Sequence, residues 1–231
     1  KYLVPGIQGT KIGALGITEP GAGSDVAGIR TTAVLNGDEY VINGSNTFIT
    51  NAARAQFMVL VVKTDPSKAH DGITLLLIDI RDEDGNDLPG FSVTSNLEKM
   101  GMLSSDTGEL AFEDFRVPAE SVLGEVGKGF SLGQRWLTIH DRLLRGPYAL
   151  GKMKRALDMS VDWAKQRVTF GKPLSERQAI QWKLVDMYVD LQALQALTYQ
   201  MASRADAGED IRAEAGMVKF TSMEWGARTV D

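Results

Sequence analysis

The sequence predicts an α+β protein: an antiparallel β-barrel or sandwich followed by part of an up-down four-helix bundle. Two observations carry this. Up to about Val117 the apolar residues alternate or form short runs between Gly, Asn and Asp turns, whereas beyond Pro118 they recur every three or four positions. The change falls where Pro118, Gly124, Gly127 and Gly129 cluster, so residues 1–120 are expected to form one domain and residues 121–231 a second.

The first notable stretch is Gly16-Ile17-Thr18-Glu19-Pro20-Gly21-Ala22-Gly23-Ser24-Asp25. It combines short hydroxyls, carboxylates and a Pro-Gly turn, so backbone N–H groups and side-chain oxygens can converge on a phosphate or a ring edge. Composition alone favours a plain connection between strands. Residues 31–35, 39–42 and 47–50 then read as a meander with turns at Asn36-Gly37-Asp38 and Asn43-Gly44-Ser45, since Asn-Gly pairs supply the positive φ of primed hairpin turns. Asn43-Gly44-Ser45 also fits a glycosylation triplet, but nothing indicates secretion and it is read as a turn. Residues 57–63 and 73–80 are apolar enough for central strands, and residues 91–94 and 110–115 complete the sheet. The acidic run from Asp82 to Asp87 has its glycine and its twelfth residue, Val93, wrong for a calcium loop and reads as a solvated hairpin tip.

In the second half Phe130, Leu132, Trp136, Leu137, Ile139, Leu143, Leu144 and Leu150 recur at helical spacing, with Gly146-Pro147 expected to kink or interrupt the helix. A second helix over about 175–207 presents Ile180, Leu184, Met187, Leu191, Leu194 and Leu197 on one face. A third starts near Asp210, a reasonable N-cap, and carries Met217, Phe220 and Trp225.

Composition narrows the function. The chain has 231 residues, 43% of them apolar, and a net charge of −5, which argues against a general nucleic-acid or anionic-membrane surface. With no cysteine and only His70 and His140, disulfides, thiolate nucleophiles and Cys- or His-rich metal sites have no candidates, and no metal is expected. The longest apolar runs fall far short of the roughly 20 residues of a membrane span. The Walker and dinucleotide glycine spacings are absent, so a nucleotide would have to be bound without those loops. The chain opens without methionine and closes without a helix stop signal, and is expected to be a piece of a longer protein.

Four segments, in this order, resemble the acyl-CoA dehydrogenase family of flavoproteins: Thr18-Glu19-Pro20-Gly21-Ala22-Gly23-Ser24-Asp25, Phe48-Ile49-Thr50-Asn51, Phe112-Glu113-Asp114-Phe115-Arg116-Val117-Pro118 with Val122-Leu123-Gly124, and Arg167-Val168-Thr169-Phe170-Gly171-Lys172 with Gln178 following. The resemblance implies the middle β-domain plus about three bundle helices, without the N-terminal helical domain and the last helix. It implies FAD as cofactor. Thr18 would stand on the N1–O2 edge of the flavin and Thr50 at N5, with Leu15, Gly16 and Ile17 lining the ring and Phe48, where many relatives have tryptophan, covering the dimethylbenzene side. Ser24 would contact the flavin pyrophosphate or the CoA chain. Arg167, Thr169, Phe170 and Gln178 would reach the flavin of a neighbouring subunit, which implies a homodimer or homotetramer.

The implied reaction is α,β-dehydrogenation of an acyl-CoA, with a carboxylate removing the α-proton and electrons passing to an electron-transfer flavoprotein. The implied compartment is the cytoplasm, or the mitochondrial matrix in a eukaryote. Most relatives carry the carboxylate in a C-terminal segment outside this sequence, and a minority carry it just before an arginine on the first bundle helix. Here that place holds Asp141-Arg142, so Asp141 is a candidate base and Arg142 a candidate contact for the CoA part of the substrate. If Asp141 is the base, Asp141→Asn should keep flavin and slow α-proton exchange about 10³-fold. Leu103 stands where relatives commonly have arginine. Two other readings remain open on the same scaffold: a flavin oxidase or monooxygenase, and a non-catalytic flavin- or nucleic-acid-binding relative, which the acidic net charge disfavours.

Overall fold

The computed structural model describes residues 1–231. The chain divides into two compact units, residues 1–133 and 134–231.

The first unit opens with a short helix α1 (Leu3–Gln8) and then builds seven strands: β1 (Gly13–Gly16), β2 (Thr32–Asn36), β3 (Glu39–Thr50), β4 (Phe57–Lys63), β5 (Ile73–Asp79), β6 (Phe91–Asn96) and β7 (Thr107–Pro118). They form one curled sheet in the order β1-β4-β2-β3-β7-β6, with β5 also on β4. The sheet is mixed: the hairpins are antiparallel as expected, but β1 and β2 meet β4 in parallel. A chain that leaves β1 through residues 17–31 and returns by β2 allows this, because the long connection lets both strands approach β4 in the same direction. The larger core lies on one face, where Ile42, Met58, Leu60, Leu76, Ile78, Leu110, Phe112 and Phe115 are all buried, and a second cluster on the other face packs Val61, Ile73 and Leu75 with Ala22 and Ile29.

One expected turn is replaced by a bulge. Asn36 and Glu39 pair across Gly37, whose φ of 67° makes the first Asn-Gly turn as read. Asn43-Gly44-Ser45 instead lies inside the 12-residue strand β3, at a register shift between Ile42 and Gly44. Asn43 spends its amide on a reciprocal pair with Asp114 of β7, donating to its carboxylate (3.1 Å) and accepting from its N–H (2.9 Å). Gly44 lies so close to Thr31 that a Cβ would come within 2.6 Å of its Cα. The glycine therefore serves close backbone approach.

The second unit holds the rest of the bundle. Helix α2 (Gly129–Trp136) starts in the first unit and runs into a π-helical segment, Leu137–Leu143; then come α3 (Arg145–Gln166), the hairpin β8 (Val168–Thr169) and β9 (Lys172–Pro173), α4 (Gln178–Asp206) and α5 (Arg212–Val230). The interruption expected at Gly146-Pro147 occurs earlier, in the π-helical segment, while Pro147 sits in the first turn of α3, where an absent N–H costs little. Leu143, Met201, Ile211, Ala215 and Val218 make one core cluster, and Ala149, Met153, Leu157, Leu191 and Leu194 a second. Helix α4 also leaves Trp182, Val185, Tyr188 and Val189 more than half exposed, an apolar surface beyond what the intramolecular core uses. No helix is long and apolar enough to cross a membrane.

Candidate functional site

In the first unit the expected cofactor residues gather where β1 ends against the middle of β3. The Thr18 carbonyl accepts from Thr47 N (2.8 Å) and from Asn46 Nδ2 (3.1 Å). Gly16 is buried against Met58, Leu60 and Asn46; a Cβ there would come within 2.6 Å of Met58 and 2.8 Å of Leu60, so glycine leaves room for these two side chains of β4 at the strand end. Asn51 Nδ2 donates to Gly13 O (3.2 Å) and ties the far end of β3 to β1. Leu15, Gly16, Ile17, Thr18, Phe48 and Thr50 are thus carried by two strands locked together. Asn46 and Thr47, which do the locking, had no signal in the sequence.

Phe48 is the anomaly of this junction. It lies at a second register shift of β3, between Asn46 and Ile49, and holds φ at 59° with its ring 67% exposed. A bulky residue in the left-handed region is strained by about 1–3 kcal/mol, and the ring buries little that would repay this. A bulge that turns an apolar ring outward at the cost of strain is a feature of binding surfaces. Beside it the hydroxyls of Thr18 and Thr50 make no hydrogen bond within the protein.

The glycine-rich loop is fixed from below. Glu19 and Ala22 exchange backbone hydrogen bonds of 3.0 and 3.1 Å around the Pro20-Gly21 turn. The Glu19 side chain, 7% exposed, accepts from Arg30 N (2.7 Å) and Thr31 N (2.8 Å), so one carboxylate pins both ends of the loop. Gly21 and Gly23 adopt no positive φ, and a Cβ on either would meet nothing within 4 Å. Their side of the loop is open, and the N–H groups of Gly21, Gly23, Ser24 and Asp25 donate to no protein atom. Free amides on an exposed turn, with the hydroxyl of exposed Ser24 among them, suit an anionic group such as a phosphate.

At Leu103 the chain supplies other cations. Arg54 donates to Ser104 O (3.1 Å) and pairs with Asp106 (2.7 Å), and Lys99 donates to Ser105 O. Partial burial pushes the Asp106 carboxyl up, but the Ala53 N–H and the Arg54 guanidinium outweigh it and hold it below the usual range.

In the second unit Arg167, Thr169, Phe170 and Gln178 share one end of α3. Arg167 closes the helix, and Phe170 and Gly171, with φ of 49° and 72°, turn the β8–β9 hairpin. Leu174 N donates to Arg167 O (2.8 Å) and Arg177 Nη2 to Thr169 O (2.6 Å), fixing the hairpin to the start of α4, where Gln178 is the first residue. The Phe170 ring is 98% exposed at the tip, and Arg167 and Gln178 are exposed without a side-chain partner.

Asp141 and Arg142 lie beyond the opposite end of α3, whose 22 residues span about 33 Å. Asp141 Oδ1 accepts from Arg145 Nη2 (2.7 Å) and Oδ2 from Lys219 Nζ (2.6 Å). Partial burial pushes its carboxyl up, but Lys219 and Arg145 together prevail and the group sits below the ordinary carboxylate range. That lowers its affinity for a proton, the reverse of what a base needs. Arg142, the next residue, is half-buried in the π-helical segment and joins no ion pair or hydrogen bond through its side chain. His140 stacks on Trp136 with ring planes 5° apart.

Comparisons with known proteins match both parts of the chain to one family. Residues 14–115 match the model of the acyl-CoA dehydrogenase middle domain, and residues 127–231 that of the acyl-CoA dehydrogenase C-terminal domain. The short-chain specific acyl-CoA dehydrogenase of Megasphaera elsdenii is 42% identical over 229 residues, 99% of this chain and 58% of that protein. Subunit CarC of the caffeyl-CoA reductase-Etf complex of Acetobacterium woodii is 41% identical, covering 97% of this chain and 57% of that subunit. The three-dimensional structure of butyryl-CoA dehydrogenase from Megasphaera elsdenii superposes with a TM-score of 0.90 at 40% identity, covering 99% of this chain and 58% of that one. The chain therefore spans a little under three fifths of the relatives it matches. Both halves match, in family order and over nearly every residue, and the chain belongs to the acyl-CoA dehydrogenase family.

Proposed function

We propose that these residues form the flavin- and substrate-binding part of an enzyme that oxidises an acyl-CoA thioester across its α,β bond, with FAD as cofactor. The observation that carries this is the strained, outward-facing Phe48 beside the free hydroxyls of Thr18 and Thr50. An apolar ring and two unpaired donors on one rigid junction fit a flat heteroaromatic with a polar edge. The open amides of Gly21, Gly23 and Ser24 suit its anionic part or that of the substrate. When bound, FAD would supply the acceptor for the hydride that leaves the β-carbon. Thr18 and Thr50 would donate to the polar edge of the ring, Leu15 and Phe48 would exclude water from its apolar part, and Gly16 and Ile17 would line it.

Arg142 is assigned to the CoA part of the substrate, because a half-buried guanidinium without a protein partner is a ready site for a phosphate or carbonyl oxygen. Asp141 is not assigned as base: both of its oxygens hold cations. The α-proton goes to a carboxylate elsewhere in the protein. Asp141→Asn is therefore expected to keep flavin bound and to leave α-proton exchange within about tenfold of wild type; a loss of about 10³-fold would return Asp141 to the role of base.

Exposed Phe170 and Arg167, with the apolar face of α4, support a homodimer or homotetramer in which the hairpin reaches a neighbour's cofactor. An electron-transfer flavoprotein is the electron partner that the Etf-complex relative supports. The test of the whole reading is direct. The full-length protein should be yellow, and its flavin band should bleach anaerobically with at least one member of a panel of acyl-CoAs. No bleaching with any of them would end the dehydrogenase reading, and rapid reoxidation by air would favour an oxidase.

A further inference from the structure

Strand β3 shifts register on β7 twice, and the second shift restores what the first displaced. At the first, Asn43 faces both Glu113 and Asp114; at the second, Thr47 and Phe48 together face Glu109. Ahead of this second bulge the even-numbered Ile42 and Asn46 are buried. Beyond it the odd-numbered Ile49 is buried, and Phe48 and Thr50 are exposed. Side chains of a strand alternate between its faces, so without the extra residue Phe48 and Thr50 would continue on the core side and Ile49 on the outer one. The bulge therefore decides which face carries two of the residues assigned to the flavin ring.

Glu109 is the one residue opposite that bulge. Its Oε1 accepts from the hydroxyl of Thr47 (3.0 Å), which is only 4% exposed, and this is the single hydrogen bond of its side chain. On its other flank β6 also shifts register, between Val93 and Ser95, so no regular pair of strands holds this point of the sheet. Phe48, with φ at 59°, keeps a conformation that persists only when its surroundings impose it.

We infer that Glu109 is a positioning residue for the flavin site: by holding the Thr47 hydroxyl it keeps two residues of β3 opposite one of β7, and so keeps Phe48 and Thr50 outward. This role rests on the reading of those two residues as flavin contacts. The N–H of Thr47 meanwhile donates to the Thr18 carbonyl (2.8 Å), so the residue that Glu109 grips also fixes the strand end carrying a third ring contact. One bond from a hydroxyl to a part-exposed carboxylate contributes modestly to global stability, and its loss should be felt at the bulge rather than in the fold.

The test titrates the full-length protein, stripped of cofactor, with FAD and records the visible circular dichroism of the bound flavin. Glu109→Ala should weaken FAD binding about tenfold and alter the dichroism. Glu109→Gln, which keeps an acceptor for the hydroxyl, should bind within about threefold of wild type and give the wild-type spectrum. Thr47→Val, which removes the donor at nearly equal volume, should match Glu109→Ala and stands in for it if the alanine variant folds poorly. Combining the two should cost no more than either alone, because both delete the same bond. Beside Phe48→Asn, Glu109→Ala should cost less than about threefold more, since asparagine takes the left-handed conformation without being held. Wild-type binding and dichroism in Glu109→Ala and Thr47→Val overturn the inference. So does a tenfold loss that persists undiminished beside Phe48→Asn, the pattern of a carboxylate that acts independently of the bulge. Phe48→Asn and Thr50→Val separate the two readings: if both bind FAD as wild type does, the flavin contact and this inference fall together. If they weaken binding while Glu109→Ala and Thr47→Val do not, the inference alone falls.

Discussion

Glu19→Gln should lower the hydrogen-exchange protection of the Arg30 and Thr31 amides by roughly a hundredfold and detach the glycine loop from its base, corresponding to about 2–3 kcal/mol. The carboxylate presents one oxygen to each of two backbone donors, at 2.7 and 2.8 Å, in a site only 7% exposed. An amide of the same shape has one acceptor and one donor. Whichever way it is turned, an NH₂ faces one of the two N–H donors, that of Thr31 being buried, so the substitution loses one bond and adds a repulsion. The damage should spread from Thr31, whose carbonyl accepts from Lys63 N (2.8 Å) and whose Cα lies against Gly44. FAD affinity of the full-length protein should fall in parallel, since Thr18 precedes Glu19 directly and the open amides follow it. Protection within twofold of wild type at both amides would show that the loop is held by something else.

Phe48→Asn should move stability and cofactor affinity in opposite directions. Asparagine tolerates the left-handed region that Phe48 is forced into, so the apoprotein should gain about 1 kcal/mol in chemical denaturation. The ring is two-thirds exposed, so little packing is given up. If the ring covers flavin, its removal should weaken FAD binding about tenfold or more, measured by titrating the apoprotein. Such a trade of stability for function is expected where strain is kept for a ligand. A variant that loses stability and binds FAD as before would make Phe48 an ordinary packing residue.

What could be read in the sequence was what is encoded locally. The run at 57–63 became β4 to the residue, because a short apolar stretch rich in valine with an aromatic at its start favours a buried strand over a helix at that length. The Pro-Gly turn after Glu19 formed as read, since proline and glycine fix it by their own geometry. What was misread depends on partners far along the chain. Asn43 is barred from a turn by Asp114, 71 residues away, and Gly44 by Thr31, and no periodicity announces either contact. The break in the first bundle helix was placed at Gly146-Pro147 by local rules, yet it lies in the π-helical segment that Lys219 of α5 helps to hold. The same distance hid the environment of Asp141. The resemblance makes it a candidate base, and the fold shows both its oxygens committed to cations. The candidate-site residues are expectations that the resemblance supplies, whereas the bracing contacts of Asn46, Thr47 and the Glu19 carboxylate appear only in three dimensions.

The β8–β9 hairpin raises Phe170 on a turn with nothing of its own chain around it beyond Arg177, whose guanidinium lies 5.9 Å from the ring centre. On the proposed reading, that ring completes another protomer's cofactor site, and concentration then becomes a variable of the chemistry. Dilution and cofactor loss are one linked equilibrium, by mass action. The occupancy of the flavin site would track how many copies are present to share it as well as how well a single copy is folded.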